Sequence, residues 1–300
     1  MIRYLQHILT RRKSPPQRVG GTGTRPLSEE QLQEITGAPY SSRLPQLISA
    51  SALDIGRRRE NNEDALLAVT GTLGVESEAQ PFGLFAVADG MGGHRSGELA
   101  SEAAVRTLGS YVLARVYDPL FGPNPKPTQE SLKEILEAAV KEAHERVKTA
   151  APGGGCTLTA ALVLGKQVII AHLGDSRAYG IQADGRIEAL TKDHSLVHRL
   201  QELGQITAEE AATHPQKSVL YRALGQGDSP EIDMSVSKLP NHGFLLLCSD
   251  GLWGAVHEDD IARIVNSNFS PHLACQHLVE AANTVGGPDN IAVVLVRLAN

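Results

Sequence analysis

Four aspartates stand where apolar runs stop. Asp89 closes "FAVAD", Asp175 closes "IIAHLGD", Asp250 closes "LLLCSD", and Asp289 immediately precedes "NIAVVLV". A carboxylate at the mouth of a buried strand is costly unless it is paired or ligates a cation, and several converging would raise one another's pKa. A divalent ion removes that conflict. Oxygen donors without Cys or paired His favour a hard ion, Mg²⁺ or Mn²⁺, over Zn²⁺. The glycine after Asp89 then has a use, because a backbone without a side chain can approach closely and offer the Gly90 carbonyl oxygen as a further ligand.

Asp-Gly is also a common turn, and the chain carries its own control. "QADGRIE", around Asp184, reads as a plain hairpin turn, whereas "DGMGGHRSGELAS" and "SDGLWGAVHEDD" each run from a strand through glycine into helical sequence. A second charged group lies upstream in "GRRRENNEDALLAV". There Arg59 precedes Glu63 and Asp64 at the start of a strand. A guanidinium grips phosphoryl oxygens in a bidentate manner. Taken alone this segment is a solvated charged loop, and its weight comes from the company of the four aspartates.

The elements that must position these residues are short and β-rich from about residue 50 onward. Strands are expected in "ALLAV", "FGLFAVAD", "CTLTAALVL", "QVIIAHLGD", "SRAYGIQ", "RIEALT", "FLLLCSD" and "NIAVVLVRL". Two neighbouring pairs are separated only by "GK" and "ADG", which makes them antiparallel hairpins. Helical periods run through "SGELASEAAVRTLGSYVLARV", "SLKEILEAAVKEAHERVKTA", "DDIARIVNS" and "PHLACQHLVEAANTVG". The expected fold is α+β, an antiparallel β-sandwich flanked on both faces by helix pairs. A polar excursion over residues 193–230 reads either as a flap that meets substrate or as a surface insertion.

A chain of 300 residues with 41% hydrophobic content can fill a large core. Residues 1–28 hold six cations (Arg3, Arg11, Arg12, Lys13, Arg18, Arg25) and no acid, so a net charge of −6 leaves −12 on the rest. The expected organisation is a basic, uncollapsed N-terminal extension over 1–48 and one domain over 49–300. The extension carries one short helix from Ser28 to Gly37 and is read as a solvated leader in preference to a docking arm or transit peptide. No stretch mixes clustered cations with aromatics, which excludes a nucleic-acid groove, and no apolar run is long enough to span a membrane. Cys156, Cys248 and Cys275 form an odd set without CxxC spacing, read as reduced buried thiols in a cytoplasmic protein.

In order along the chain, "RRRENNED", "VADGMGGHRSGELAS", "GCTLTAALV", "HLGDSRAYG", "LTKDHS", "RALG", "LCSDGLW" and "GGPDNIAVVLV" resemble the metal-dependent type 2C Ser/Thr protein phosphatases, the PPM class, over residues 50–300. The resemblance implies hydrolysis of phosphoserine and phosphothreonine at a binuclear Mn²⁺ or Mg²⁺ centre. A hydroxide bridging the ions would attack phosphorus directly, without a covalent phosphoenzyme. On this resemblance Asp89 would bridge both ions, the Gly90 carbonyl would hold one, and Asp250 and Asp289 the other. Asp175 with Asp250 would hold a third, weaker ion, as in bacterial members. Glu63 and Asp64 would fix waters around the ions, and Arg59 would bind the substrate phosphate. Partners would be phosphorylated proteins, with the enzyme opposing a Ser/Thr kinase as a monomer. Met91 stands where many eukaryotic members have His, so the proton for the leaving alcohol must come from elsewhere; "DGMGG" resembles the bacterial branch.

Rival chemistries are tested on the same residues. A cysteine phosphatase needs Arg six residues after its Cys, but those positions hold Leu162, Gly254 and Ala281. Neither a DxDx[TV] nucleophile motif nor a P-loop is present. His194 and His198 stand four apart on an expected helix, lack the Glu of HExxH, and are read as surface or flap residues. Trp253 is assigned to the core. A catalytically silent relative that binds phosphoproteins is the reading from a different class. A dedicated regulator acting on one phosphoserine partner is a narrower form of the enzyme.

Overall fold

Period-two alternation sorts each strand's apolar side chains onto two faces, and in the central strands both faces are buried. In the computed structural model, which describes residues 45–75, 78–92, 95–121, 130–268 and 270–299, this sorting builds three stacked cores. The expected N-terminal helix at 28–37 lies outside the described residues.

The described elements are β1 (Gln46–Asp54), β2 (Asp64–Val75), β3 (Glu78–Met91), α1 (Arg95–Val112), a π-helical continuation (Leu113–Tyr117), α2 (Asp118–Phe121), α3 (Leu132–Ala150), β4 (Gly155–Cys156), β5 (Leu158–Leu164), β6 (Gln167–Leu173), β7 (Arg177–Ile181) and β8 (Ile187–Ala189). They continue with α4 (Leu196–Glu202), α5 (Ala208–Ala212), β9 (Asp233–Lys238), β10 (Phe244–Cys248), α6 (Asp250–Trp253), α7 (Glu258–Ser267), α8 (Pro271–Thr284) and β11 (Ile291–Ala299). One sheet runs β1-β11-β10-β7-β8 and the other β2-β3-β5-β6-β9, with β4 attached to the end of β3. All pairings are antiparallel.

Phe85 and Val87 of β3 face Leu245, Leu247, Ala292 and Val294 of the other sheet, forming the core between the sheets. The alternate residues Phe82, Leu84, Ala86 and Ala88 face outward and pack on α1 and α3. The other sheet repeats the pattern, with Ile291, Val293 and Leu295 packed against α7 and α8. Ser131 caps α3 and Glu134 closes the capping box, fixing where that helix starts.

The expected α+β sandwich with helices on both faces is the observed fold, and hairpins form at Gly165-Lys166 and over 183–185. Asp184 behaves as a plain turn residue, exposed and paired with Arg186. The sequence reading did not foresee β1 and β9. Only Met234 and Val236 are apolar in β9, which pairs with β6 along a solvated edge, so its pattern is too weak to read. β1 pairs with β11 over nine residues from Gln46, ahead of the boundary expected at 49, and its mixed burial hides the strand period.

Phe85 is fully buried between the sheets. Phe85→Ala is expected to cost about 3–5 kcal/mol, read as a lower urea midpoint at unchanged denaturant slope; a loss under 1 kcal/mol would mean that the two sheets do not pack as one core.

Candidate metal and phosphate site

Both sheets end at the same rim. Asp64 at the start of β2 lies directly opposite Asp89 near the end of β3 in the antiparallel register. The backbone of Asp89 is fixed by Thr157, whose hydroxyl accepts from the Asp89 N–H at 2.9 Å and whose N–H donates to the Asp89 carbonyl at 2.8 Å. Thr157 Oγ1 is in turn 2.7 Å from Ser176 Oγ. The Gly90 N–H donates to the Glu63 carbonyl at 3.1 Å, and a Cβ on Gly90 would collide with the carbonyls of Gly97 and Glu63. Glycine at 90 is therefore demanded by close approach of α1 and the β2 entry, apart from any ligand role.

The other sheet supplies Asp250, just after β10, and Asp289, just before the adjacent strand β11. Ser249 ties the layers together: its N–H donates to the Ala292 carbonyl, its Oγ accepts from the Ala292 N–H at 2.8 Å, and its hydroxyl donates to Asp64 Oδ2 at 2.6 Å. Asn290 does the same for the Arg59 loop. Its amide donates to the carbonyls of Ile55 and Asn61 at 2.9 and 3.0 Å, and its Oδ1 accepts from the Glu63 N–H at 2.8 Å. Arg59 then reaches Asp289 Oδ2 at 2.6 Å. Asp175 is steadied by Trp253, whose indole N–H donates to the Asp175 carbonyl at 2.9 Å while the Arg177 guanidinium stacks 3.6 Å from its ring centroid.

Arg59, Glu63, Asp89, Gly90, Asp175, Asp250 and Asp289 line one cleft of about 420 Å³. Asp64, the remaining expected residue, does not open into it; it is buried behind the rim with Oδ1 lacking any hydrogen-bond partner. Asp250 Oδ1 is orphaned in the same way. Burial, followed by the Asp64 and Asp250 charges, holds the Asp89 carboxyl well above the usual range. Burial lifts Asp64 to about 8, partly countered by the Ser249 hydrogen bond, and Asp175 to about 8, with Asp250 adding to the latter. Asp250 rises to about 6 through burial and then Asp289.

These residues fit hard divalent ions. The donors are oxygens, two are buried without partners, and their charges oppose one another until a cation intervenes. Among the described residues no three His, Cys, Asp or Glu side chains meet at one point. That is compatible with Mg²⁺-like ions, which take one or two carboxylates each and keep much of their water.

The residues missed in the sequence are the short polar ones next to each acid: Thr157, Ser176, Ser249 and Asn290. The adjacency of Ser249 to Asp250 and of Asn290 to Asp289 was the available signal. His194 is not at the surface and precedes α4: it is 2% exposed, accepts from the Gly174 N–H, and contacts Asp233 and Arg222. Its burial follows from supporting the turn that carries Asp175. Trp253 is half-buried and holds that turn from the other side, where core packing alone had been expected.

A family profile described as Protein phosphatase 2C matches residues 57–285. The serine/threonine phosphatase stp of Listeria innocua is 39% identical over 250 residues, covering 81% of this chain and 93% of the relative. Protein phosphatase PhpP of Streptococcus pneumoniae is 36% identical over 246 residues, covering 82% and 95%. Among solved structures, the S. agalactiae serine/threonine phosphatase superposes with a TM-score of 0.72 at 33% identity, over 83% of this chain and 98% of that one. The catalytic domain of PstP with two manganese ions gives 0.68 at 31% identity, over 85% and 99%.

Carboxyls whose pKa is raised by folding stabilise the folded state below about pH 4, and that contribution is lost as pH climbs through their folded values. The metal-free protein is therefore expected to melt at a lower temperature at pH 8 than at pH 5.5, with Mn²⁺ raising the melting temperature more at pH 8. Asp89→Asn should raise the metal-free melting temperature at pH 8 and shrink the Mn²⁺ response; a pH-independent melt that ignores Mn²⁺ would contradict this electrostatic reading.

Proposed function

The chain belongs to the metal-dependent type 2C Ser/Thr protein phosphatases, and from that membership we propose how its own residues divide the work of hydrolysis. The observation that carries the proposal is the convergence of aspartates from four separate segments on a single cleft with an arginine at its rim. In this reading Asp89, the Gly90 carbonyl, Asp250 and Asp289 hold two divalent ions, Mn²⁺ or Mg²⁺, and Asp175 with Asp250 holds a third more weakly. Bound there, the ions acidify water and neutralise charge that builds on the phosphoryl oxygens.

The side chains supply position. Arg59 is half exposed, so its guanidinium can grip two phosphoryl oxygens while keeping Asp289 in place. The bond to Asp289 raises the Arg59 pKa further, so its charge is constant at any working pH. Glu63, at the cleft wall, and Asp64, behind it, orient water; Asp64 does so from a carboxyl fixed by Ser249. Met91 lines the cleft without a transferable proton, so the departing alkoxide takes one from another group there.

The catalytic unit of this proposal is residues 49–300 with a flap at about 193–230, acting on phosphorylated proteins against a Ser/Thr kinase. Three unpaired, buried cysteines support a reducing, cytoplasmic setting. Among the described residues no helix is long and apolar enough to cross a membrane.

The test is Mn²⁺-dependent hydrolysis of p-nitrophenyl phosphate and of phosphoserine and phosphothreonine peptides. Asp89→Asn should abolish turnover. Arg59→Ala should lower kcat/KM by about 10- to 100-fold, the worth of charge-assisted hydrogen bonds to a phosphate. Tight phosphopeptide binding with no turnover in fresh metal would favour the silent relative.

A further inference from the structure

A second cavity, about 350 Å³, opens beside the reaction cleft and shares Asp175, Ser218 and Asp250 with it. The metal and phosphate chemistry leaves the rest of it unused. Its inner wall is formed by Val197 of α4, Ala211 of α5 and the half-buried indole of Trp253, and its mouth by Ala208 and Lys217. Val197 and Ala211 are buried, whereas Ala208 is exposed at the first turn of α5. Both helices have fixed starts, Ser195 capping α4 and the Thr207–Glu210 capping box closing α5, so the wall is preformed.

The charges around the cavity decide what it can accept. Arg177 in its floor is neutralised by two bonds to Asp193 at 2.9 and 2.8 Å, with Glu258 3.6 Å away. A charged side chain of either sign entering would meet a mixed set, Lys217 together with Asp175 and Asp250, so neither sign is favoured throughout. An apolar side chain can pack on the Val197–Ala211–Trp253 wall, with Ser195, His198 and Gln201 lining the cavity beside it. Because the cavity borders the cleft across Asp175, Ser218 and Asp250, a chain whose phosphorylated residue occupies the cleft can place a neighbouring side chain there.

We propose that this cavity is a specificity pocket for one mid-sized apolar side chain, such as Leu, Met or Phe, located close in sequence to the phosphorylated residue of the substrate. The inference rests on the phosphatase reading of the adjoining cleft. The pocket contributes binding remote from phosphorus, so its occupancy lowers KM and leaves the reactivity of a small aryl phosphate untouched.

The experiment walks a single Leu through each flanking position of an otherwise alanine-rich phosphothreonine peptide. Kinetics are measured with the full chain and Mn²⁺, alongside p-nitrophenyl phosphate. One position should prefer Leu over Ala by roughly fivefold or more in KM. Glu or Lys at that position should give no gain. Ala208→Trp, at an exposed site, and Gln201→Trp, on the other flap helix, each fill the cavity and should erase the Leu preference while p-nitrophenyl phosphate kinetics stay at the wild-type level. A preference for Glu or Lys, no positional preference, or a Leu preference that survives both substitutions would overturn the pocket. Absence of Mn²⁺-dependent p-nitrophenyl phosphate turnover in the unmodified chain would instead overturn the cleft assignment beneath it.

Discussion

Like charges do not gather in a protein interior unless the rest of the chain forces them together or a counter-ion offsets their repulsion. In this protein Asp64, Asp89, Asp175 and Asp250 are brought to one end of a sandwich, and their ionisation is resisted by burial and by one another. The fold's ordinary stability, drawn from three apolar layers, is what holds them in this unfavourable arrangement. The strain is a stored preference for divalent cations.

The layered architecture explains how residues more than two hundred positions apart meet. Asp175 and Asp250 stand two residues beyond the ends of β6 and β10 and Asp289 two residues before β11, so they emerge at the rim, where Asp89 lies close to the end of β3. Two sheets stacked face to face put two such rims side by side. Short polar residues then lock the rims into register: Ser249 links β10, β11 and Asp64, and Asn290 links the Arg59 loop to the entry of β11. Thr157 and Ser176 do the same for Asp89 and the Asp175 turn. Removing any of these would shift an acid without touching the apolar layers.

Much of this was legible in the letters, for identifiable reasons. The central strands are apolar on both faces and close on an acid, which leaves an unbroken run with a charged end. The contrast between Asp184 in a plain turn and Asp89 or Asp250 before helices separated the exposed Asp-Gly turn from the two pairs whose acids reach the cleft. What stayed hidden was anything whose meaning depends on a partner far along the chain. Thr, Ser and Asn serve so many local roles that their spacing carries little information, and β1 and β9 expose one face, which breaks the pattern. His194 is buried where a surface or flap place is expected, and Trp253 packs against the core as expected while also holding the Asp175 turn; a side chain that supports a turn from behind has no distinctive spacing. The helices α4 and α5 were visible only as polar helical fragments; the cavity they line with Trp253 depends on their placement in the fold.

The central claim is that the acids of the two rims act together on a shared pair of cations. Anomalous diffraction from crystals grown with Mn²⁺ addresses it without reference to turnover. Two peaks in the cleft, both contacting the Asp89 carboxylate, with Asp250 and Asp289 on one of them, are expected. A cleft empty of anomalous density at saturating Mn²⁺, or ions bound elsewhere on the surface, would contradict it.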